Sequence, residues 1–150
     1  MKRGFKIFKS LLRVYCLHIS AILAIWLAMY FPGLDIILSV LYFYLLWVEG
    51  KYSQRMLRNH KKQALTALIW QLPGFILAGS MLLSLDVVAD FAYYFIFILE
   101  LWDTPVLPLI SLLPAWTILD RPVYYYLLFL TVPGLAYYYY LAGGNSENRK

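Results

Sequence analysis

The chain alternates long apolar stretches with short polar breaks. A helix of ~20 residues crosses a bilayer core of ~30 Å, and several of these stretches approach that length. The pattern predicts an all-α fold, a polytopic transmembrane helix bundle with short connections and no soluble domain. The bundle is expected to be one domain, 1–142, followed by a polar tail at 143–150. Its predicted segments lie at about 14–31, 34–48, 64–85, 86–102, 105–119 and 123–142.

The segment at 105–119 leaves two arrangements open. Asp103 followed by Pro105 is typical of a helix start, because a capping carboxylate precedes a proline in the first turn. Pro108 and Pro114 then interrupt the apolar run. The run is therefore interpreted either as a short kinked span, which gives six helices, or as a re-entrant or interfacial segment, which gives five.

Positive charge is concentrated on both sides of the first helical hairpin. Five Lys and Arg residues precede the first apolar segment, and five more lie within 51–62. Because cytoplasmic loops carry an excess of Lys and Arg, the N-terminus and this connector are predicted to face the cytoplasm at the cell membrane. Six helices leave 12 of the 13 Lys and Arg inside, with Arg121 outside, whereas five helices leave 11 inside. The charge distribution therefore favours six helices with both termini in the cytoplasm.

Composition supports a membrane protein and changes the meaning of the basic net charge. Hydrophobic residues make up 63% of the chain and charged residues 14%, against about 45–50% and 25% in soluble domains. The net charge of +5 is explained by membrane topology, so no nucleic-acid partner is expected. The first segment is longer than the apolar part of a signal peptide and has no cleavage site before Pro32, which indicates a retained anchor.

Two sets of basic residues recur with the same steps of four, three and four positions. On a helix, each set occupies one face, and this arrangement is typical of an interfacial helix that contacts anionic lipid. The alternative is that these charges only set the topology. The two sets are Lys2, Lys6, Lys9 and Arg13, and Lys51, Arg55, Arg58 and Lys62.

Acidic residues suggest a polar lining on the fourth segment. Asp86, Asp90 and Glu100 share one helix face within an arc of about 80°. We expect this face to point into the bundle, since a carboxylate facing hydrocarbon is costly. Glu100 would be the deepest of the three, at a depth where His18 could pair with it. In the alternative frame, Glu100 lies at the cytoplasmic interface and has no special role.

Pro-Gly pairs interrupt two of the predicted spans. Pro73-Gly74 follows Gln71, and Pro133-Gly134 follows Thr131. Broken membrane helices can expose backbone carbonyls to a ligand, and the side chains of Gln71 and Thr131 would add to such a site. Proline kinks without a ligand are also common in membrane helices.

Candidate chemistry is otherwise sparse. Two histidines, His18 and His60, and one cysteine, Cys16, provide no metal or cofactor motif, and no catalytic residues are predicted. The favoured function is a non-catalytic subunit or accessory protein of a membrane complex, with the bilayer, anionic lipids and other membrane subunits as partners. The alternative is a transport or ligand-capture component, and a membrane-embedded enzyme is the second alternative.

Overall fold

The computed structural model describes residues 2–82, 92–114, 116–118 and 121–144. This part of the chain is helical, which confirms the all-α class, and it includes one ribbon of two very short antiparallel strands. The elements in chain order are α1 (Lys2–Ala28), α2 (Leu34–Leu57), α3 (His60–Leu82), α4 (Ala92–Asp103), α5 (Leu107–Ile110), β1 (Thr117–Ile118), β2 (Arg121–Pro122) and α6 (Val123–Gly144).

Helices α1 and α2 form an antiparallel hairpin. The predicted turn at Pro32-Gly33 is present, and Gly33 has a φ of 84°, which only glycine adopts without strain. Helix α1 begins at Lys2 rather than near residue 14, so the basic N-terminal segment is continuous with the first apolar segment. The first basic set therefore lies on an extension of α1 and not on a separate interfacial helix.

The connection between α2 and α3 differs from the prediction. A single helix carrying Lys51 through Lys62 was expected, but α2 ends at Leu57 and α3 begins at His60. Arg58 has a left-handed backbone with a φ of 52° and donates its N–H to the Gln54 carbonyl, which terminates α2. The Asn59 side chain then accepts the Lys61 N–H at 2.8 Å and starts α3. The expected single stripe is wrong, because Lys62 belongs to another helix.

Helices α3 and α6 run without interruption through Pro73 and Pro133. The interpretation of each Pro-Gly pair as a helix break is therefore wrong, and the alternative of a proline within a helix holds for both. Proline lacks an N–H, so Pro73 leaves the Ile69 carbonyl without its usual helical donor. The Tyr15 hydroxyl donates to that carbonyl at 3.1 Å. Helix α1 thus satisfies the group that the proline frees, and this bond helps α3 to continue.

The stretch at 105–119 is not one continuous helix. Among its described residues only Leu107–Ile110 is α-helical, and the two-stranded ribbon follows before α6 begins. Asp103 ends α4 instead of starting a helix, because Pro105 cannot continue the α4 hydrogen-bond pattern and the Val106 N–H closes a turn on the Asp103 carbonyl at 2.8 Å. Of the two segments predicted at 86–102 and 105–119, the structure thus describes α4 from Ala92 in the first and α5 with the ribbon in the second.

Helix α6 is parallel to α2 and antiparallel to α3. The amide of Gln63 near the start of α3 donates to the Gly50 carbonyl on α2 and to the Tyr139 carbonyl on α6. A Cβ atom on Gly50 would lie 2.7 Å from both the Ala142 Cβ and the Tyr139 carbonyl oxygen, so glycine permits the close approach of α2 to α6. These contacts bring the end of α6 to the start of α1 and to the α2–α3 connection. We call this end of the bundle the basic end and the other, with the Gly33 turn, the turn end.

By length and apolar composition, one of the described helices qualifies to cross a membrane, and it is Phe5–Ala28 of α1. Only 22% of its most apolar window is buried inside the protein. The buried positions are nevertheless part of the core, since Val14 and His18 are fully buried and Ile25 is almost so. Helix α1 is thus both an exterior helix and a packing partner for the rest of the fold.

Candidate functional site

The C-terminal end of α4 lies halfway along the bundle. Trp102 donates its indole N–H to the Gln71 side-chain oxygen at 3.0 Å, and Gln71 is the midpoint of α3. Gly74 allows this approach, because a Cβ there would lie 3.0 Å from the Trp102 indole nitrogen. From this depth the chain turns through α5 and the ribbon to the start of α6 at the turn end. The segment from α4 to the ribbon therefore enters and leaves the bundle at one end.

His18 on α1 connects α2 to the end of α4. Its Nε2 lies 3.1 Å from the Trp102 carbonyl oxygen, which can only accept, so Nε2 carries a proton and donates. In the neutral ring, Nδ1 then accepts a hydrogen bond from the Tyr42 hydroxyl at 2.8 Å. The ring is fully buried and lies edge-on to Trp70 with centroids 5.4 Å apart. His18 is thus held by three helices in the middle of the bundle.

Asp103, the last residue of α4, is buried beside this group. Its side chain is inaccessible, and neither carboxyl oxygen has a hydrogen-bond partner among the described residues. The Trp70 indole N–H and the Gln71 amide nitrogen are also buried and have no partner among the described residues. A buried polar group usually has a partner, so these atoms make the middle of the bundle the strongest candidate for a site. We call His18, Tyr42, Trp70, Gln71, Trp102 and Asp103 the central polar cluster.

A second polar group occupies the basic end, and it is well satisfied. Glu49 on α2 accepts three hydrogen bonds from Arg13 on α1, at 2.7, 3.0 and 3.2 Å. The Arg13 guanidinium also lies 4.0 Å from the centroid of the Tyr52 ring. Next to this pair, Ser10 is hydrogen-bonded to Ser53 and to the Tyr139 hydroxyl. These bonds connect α1, α2 and α6, so this group holds helices together.

The predicted ligand residues do not form one site. Gln71 belongs to the central polar cluster, as described above. Glu100 is half-buried and accepts a hydrogen bond from the Tyr124 hydroxyl at 3.2 Å, so the expected pairing with His18 is not formed. Thr131 donates to the Leu127 carbonyl of its own helix at 2.8 Å. Asp86 and Asp90 lie outside the described residues.

The basic residues divide into two kinds. Arg13 is committed to Glu49, with 41% of its side chain still exposed. Lys51 lies over the Trp47 ring at 5.3 Å and is half-buried, as is Lys62. Besides Arg13, the exposed members of the predicted lipid-contact sets whose side chains the structure describes are Lys6, Lys9, Arg55 and Arg58. Lys2 lies in α1, but its side chain is outside the described part of the structure.

Sequence reasoning missed the importance of Asp103 and of Tyr42. Asp103 was read as a helix cap because it precedes a proline by two positions. A helix also commonly ends at or before the residue that precedes a proline, so a signal for the end of α4 was present. Tyr42 had none, because it is one of 14 tyrosines and its sequence neighbours give it no special pattern.

In the described residues, no group of three or more His, Cys, Asp or Glu side chains is arranged to hold a metal ion. A cavity of about 340 Å³ forms an apolar groove between α5, the ribbon and the start of α6. It does not adjoin the central polar cluster. Comparison of the chain with protein-family models, curated proteins and solved structures finds no significant match.

Proposed function

We propose that this chain is a polytopic integral membrane protein that serves as a non-catalytic subunit or accessory protein of a membrane complex. The observation that carries the membrane part is an inverted distribution of polarity. Buried side chains include Ser10, His18, Gln63, Gln71 and Asp103, while many large apolar side chains are exposed. A soluble domain has the opposite arrangement, and exposed apolar surface on this scale indicates lipid or another membrane helix.

Exposed apolar residues form a stripe along each of the four long helices. Successive members of a stripe are three, four or seven positions apart, as expected for one face of a helix. Helices α2, α3 and α6 thus support the same interpretation as α1, although their polar interior residues and tyrosines lower their mean hydropathy. The stripes include Leu12, Ile19, Leu23 and Trp26 on α1, Ile37, Leu41, Tyr44 and Val48 on α2, Leu65, Leu68, Leu72 and Ile76 on α3, and Tyr126, Leu130, Tyr137 and Leu141 on α6.

The proposed topology has four crossing helices and one re-entrant segment. Helices α1, α2, α3 and α6 have 22 to 27 residues each, enough for a bilayer core of ~30 Å. Helix α4 has 12 residues, about 18 Å, and ends midway. The basic end then faces the cytoplasm of the cell membrane, with Arg121 at the opposite side. The proposed topology with four crossings places both termini in the cytoplasm, as the six-helix prediction does.

Cysteine labelling tests this topology. After Cys16, which is exposed, is replaced by Ala, single cysteines at Lys9, Arg58 and Gly144 should react with a membrane-impermeant maleimide only from the cytoplasmic side. Cysteines at Tyr30 and Leu112, both exposed in the structure, should react only from outside. Reaction of the Gly144 position from outside would contradict four crossings, and reaction of the Leu112 position from inside would contradict the re-entrant segment.

The accessory function is supported by how the polar side chains of the basic end are used. Arg13 and Glu49 bond to each other across α1 and α2, and Gln63 on α3 donates to backbone carbonyls on α2 and α6. These side chains hold the bundle together instead of lining a cavity. A compact scaffold with apolar stripes on all sides is suited to contact neighbouring subunits within a membrane complex.

Photo-crosslinking in native membranes tests the accessory function. A photoreactive amino acid at Leu23, Leu68 or Leu130 places the probe on the stripes of α1, α3 and α6. We expect at least one of these positions to give a single adduct of defined mass with another membrane protein. A probe at Leu46, which is fully buried, is the matched control and should crosslink only within the chain. Lipid adducts alone at all three exposed positions would contradict a subunit function.

Contact with anionic lipid is part of the same proposal. Lys6, Lys9, Arg55 and Arg58 are exposed at the basic end, and a cation at the membrane surface contributes about 1 kcal/mol of attraction. Lipid analysis of the same membrane preparation tests this contact. The wild type should retain anionic lipid at low salt, and the variant in which these four residues are replaced by Gln should release it. Equal retention by both proteins would leave these charges with a topological function only.

The second candidate is a transport or ligand-capture component. The observation that favours it is the half-length helix α4, whose C-terminal end reaches the middle of the bundle next to buried polar groups without partners. Transporters bind substrates and coupling ions at the ends of such half-helices. A crosslinking result with lipid alone would therefore favour this candidate.

A further inference from the structure

The carboxyl group of Asp103 is in an environment that disfavours its charge. The side chain is fully buried, and no donor among the described residues reaches either oxygen. It also terminates α4, where the helix dipole places partial negative charge. Burial without a partner and a repulsive dipole both favour the neutral carboxylic acid over the carboxylate.

Three donors near the end of α4 already have other acceptors. The His18 Nε2–H donates to the Trp102 carbonyl, and the Thr104 hydroxyl donates to the Glu100 carbonyl at 3.1 Å. Tyr42, which is close enough to Asp103 to interact with it electrostatically, donates to His18. The Trp70 indole N–H and the Gln71 amide nitrogen have no acceptor among the described residues, but neither is hydrogen-bonded to an Asp103 oxygen. A carboxylate at Asp103 would thus lack a donor among the described residues, whereas the neutral acid carries no charge that needs one.

No opposite charge compensates a carboxylate at this position. Among the described contacts of the central polar cluster there is no Lys or Arg side chain, and the Arg13–Glu49 ion pair lies at the basic end. The titratable groups around the end of α4 are Tyr15 and His18 on α1, Tyr42 on α2, Glu100 on α4 and Tyr124 on α6, and α3 contributes the uncharged Trp70 and Gln71.

We infer that Asp103 is a proton-binding site, in which the buried carboxylate takes up one proton from water and becomes a neutral carboxylic acid in the folded bundle. A proton fits this position better than a metal cation, since hard cations need several oxygen ligands and Asp103 is the one carboxylate that the central polar cluster contains. The site lies at the tip of a segment that enters from the turn end. Proton binding at Asp103 is a property in addition to the accessory function, and the inference does not depend on that function.

Infrared difference spectroscopy of the full chain in liposomes tests the inference. A protonated carboxylic acid has a carbonyl stretching band well separated from that of a carboxylate. We expect such a band at neutral pH in the wild type, with a downshift in D2O and an isotope shift after labelling with side-chain ¹³C-aspartate. Asp103→Asn should abolish the band, and Glu100→Gln, the matched control one turn earlier on α4, should leave it.

Two outcomes would overturn the inference. One is a wild-type spectrum with no aspartic acid band at neutral pH, which requires no variant and therefore does not depend on the folding of Asp103→Asn. The other is a band of full amplitude in folded Asp103→Asn, which would assign the proton to another aspartate. A subunit function can fail in crosslinking while the band persists, so the two proposals are distinguishable.

Discussion

Alanine at Gly50 is expected to destabilise the bundle by about 1–3 kcal/mol, the cost of overpacking a close contact. The added Cβ would lie 2.7 Å from the Tyr139 carbonyl oxygen and 2.7 Å from the Ala142 Cβ. Neither atom belongs to a flexible side-chain end, so α2 and α6 must separate to accept the methyl group. Separation would also weaken both hydrogen bonds of the Gln63 amide. Unfolding by SDS in mixed micelles, followed by circular dichroism, measures the difference.

The matched control is Gly134→Ala. Gly134 also lies within a helix, α6, but a Cβ there would meet nothing within 4 Å. This variant should be as stable as the wild type or slightly more stable, because alanine is the better helix former by about 1 kcal/mol. Equal stability of both variants would show that α2 and α6 do not approach each other as closely as described.

Removing either partner of the Arg13–Glu49 pair is expected to have the second large effect, and the loss of stability should differ between the two single variants. The Glu49 side chain is 10% exposed and the Arg13 side chain 41%. Arg13→Met leaves a nearly buried carboxylate without its donor, at a cost of about 3–5 kcal/mol. Glu49→Leu leaves a cation that can reach water and still stacks on Tyr52, so we expect a smaller loss of about 2 kcal/mol.

The double variant Arg13→Met, Glu49→Leu should recover part of the loss, since it leaves no unpaired charge. Arg55→Met is the control, because Arg55 is an exposed arginine on α2 at the same end of the bundle. It should change the unfolding free energy by less than about 0.5 kcal/mol. Additive losses in the double variant would mean that the two side chains do not interact in the folded protein.

The apolar pattern was sufficient to predict most of the helical content but not where helices end. Helix ends depend on single residues that can adopt more than one conformation or role. Arg58 ends α2 with a left-handed backbone, a conformation rare for arginine, so no sequence rule indicates it. Asp103 before Pro105 is compatible with a helix start or a helix end. In the structure it is the end of α4. The turn between α1 and α2 was predictable because Pro32-Gly33 separates two apolar runs, and glycine adopts the left-handed conformation of Gly33 without strain.

The central polar cluster was only partly predictable for a similar reason. Gln71 and His18 stood out as polar residues within apolar runs, and both belong to the cluster. Their partners depend on how α1, α2 and α4 meet, which periodicity does not report. His18 was expected to meet Glu100, but the end of α4 presents the Trp102 carbonyl instead, two residues further along. Depth along a helix was inferable from sequence, whereas the pairing between helices was not.

The parallel packing of α6 against α2 has a consequence for biosynthesis. In the proposed topology, α1, α2 and α3 are inserted before α6 has been synthesised, yet two of the bonds at the basic end involve Tyr139 on α6. Until α6 inserts, the Ser10 hydroxyl and the Gln63 amide keep their bonds to Ser53 and Gly50 on α2 but lack their partners on α6. Closure of this end therefore follows the insertion of α6, and a nascent chain truncated before Tyr139 would keep this end open.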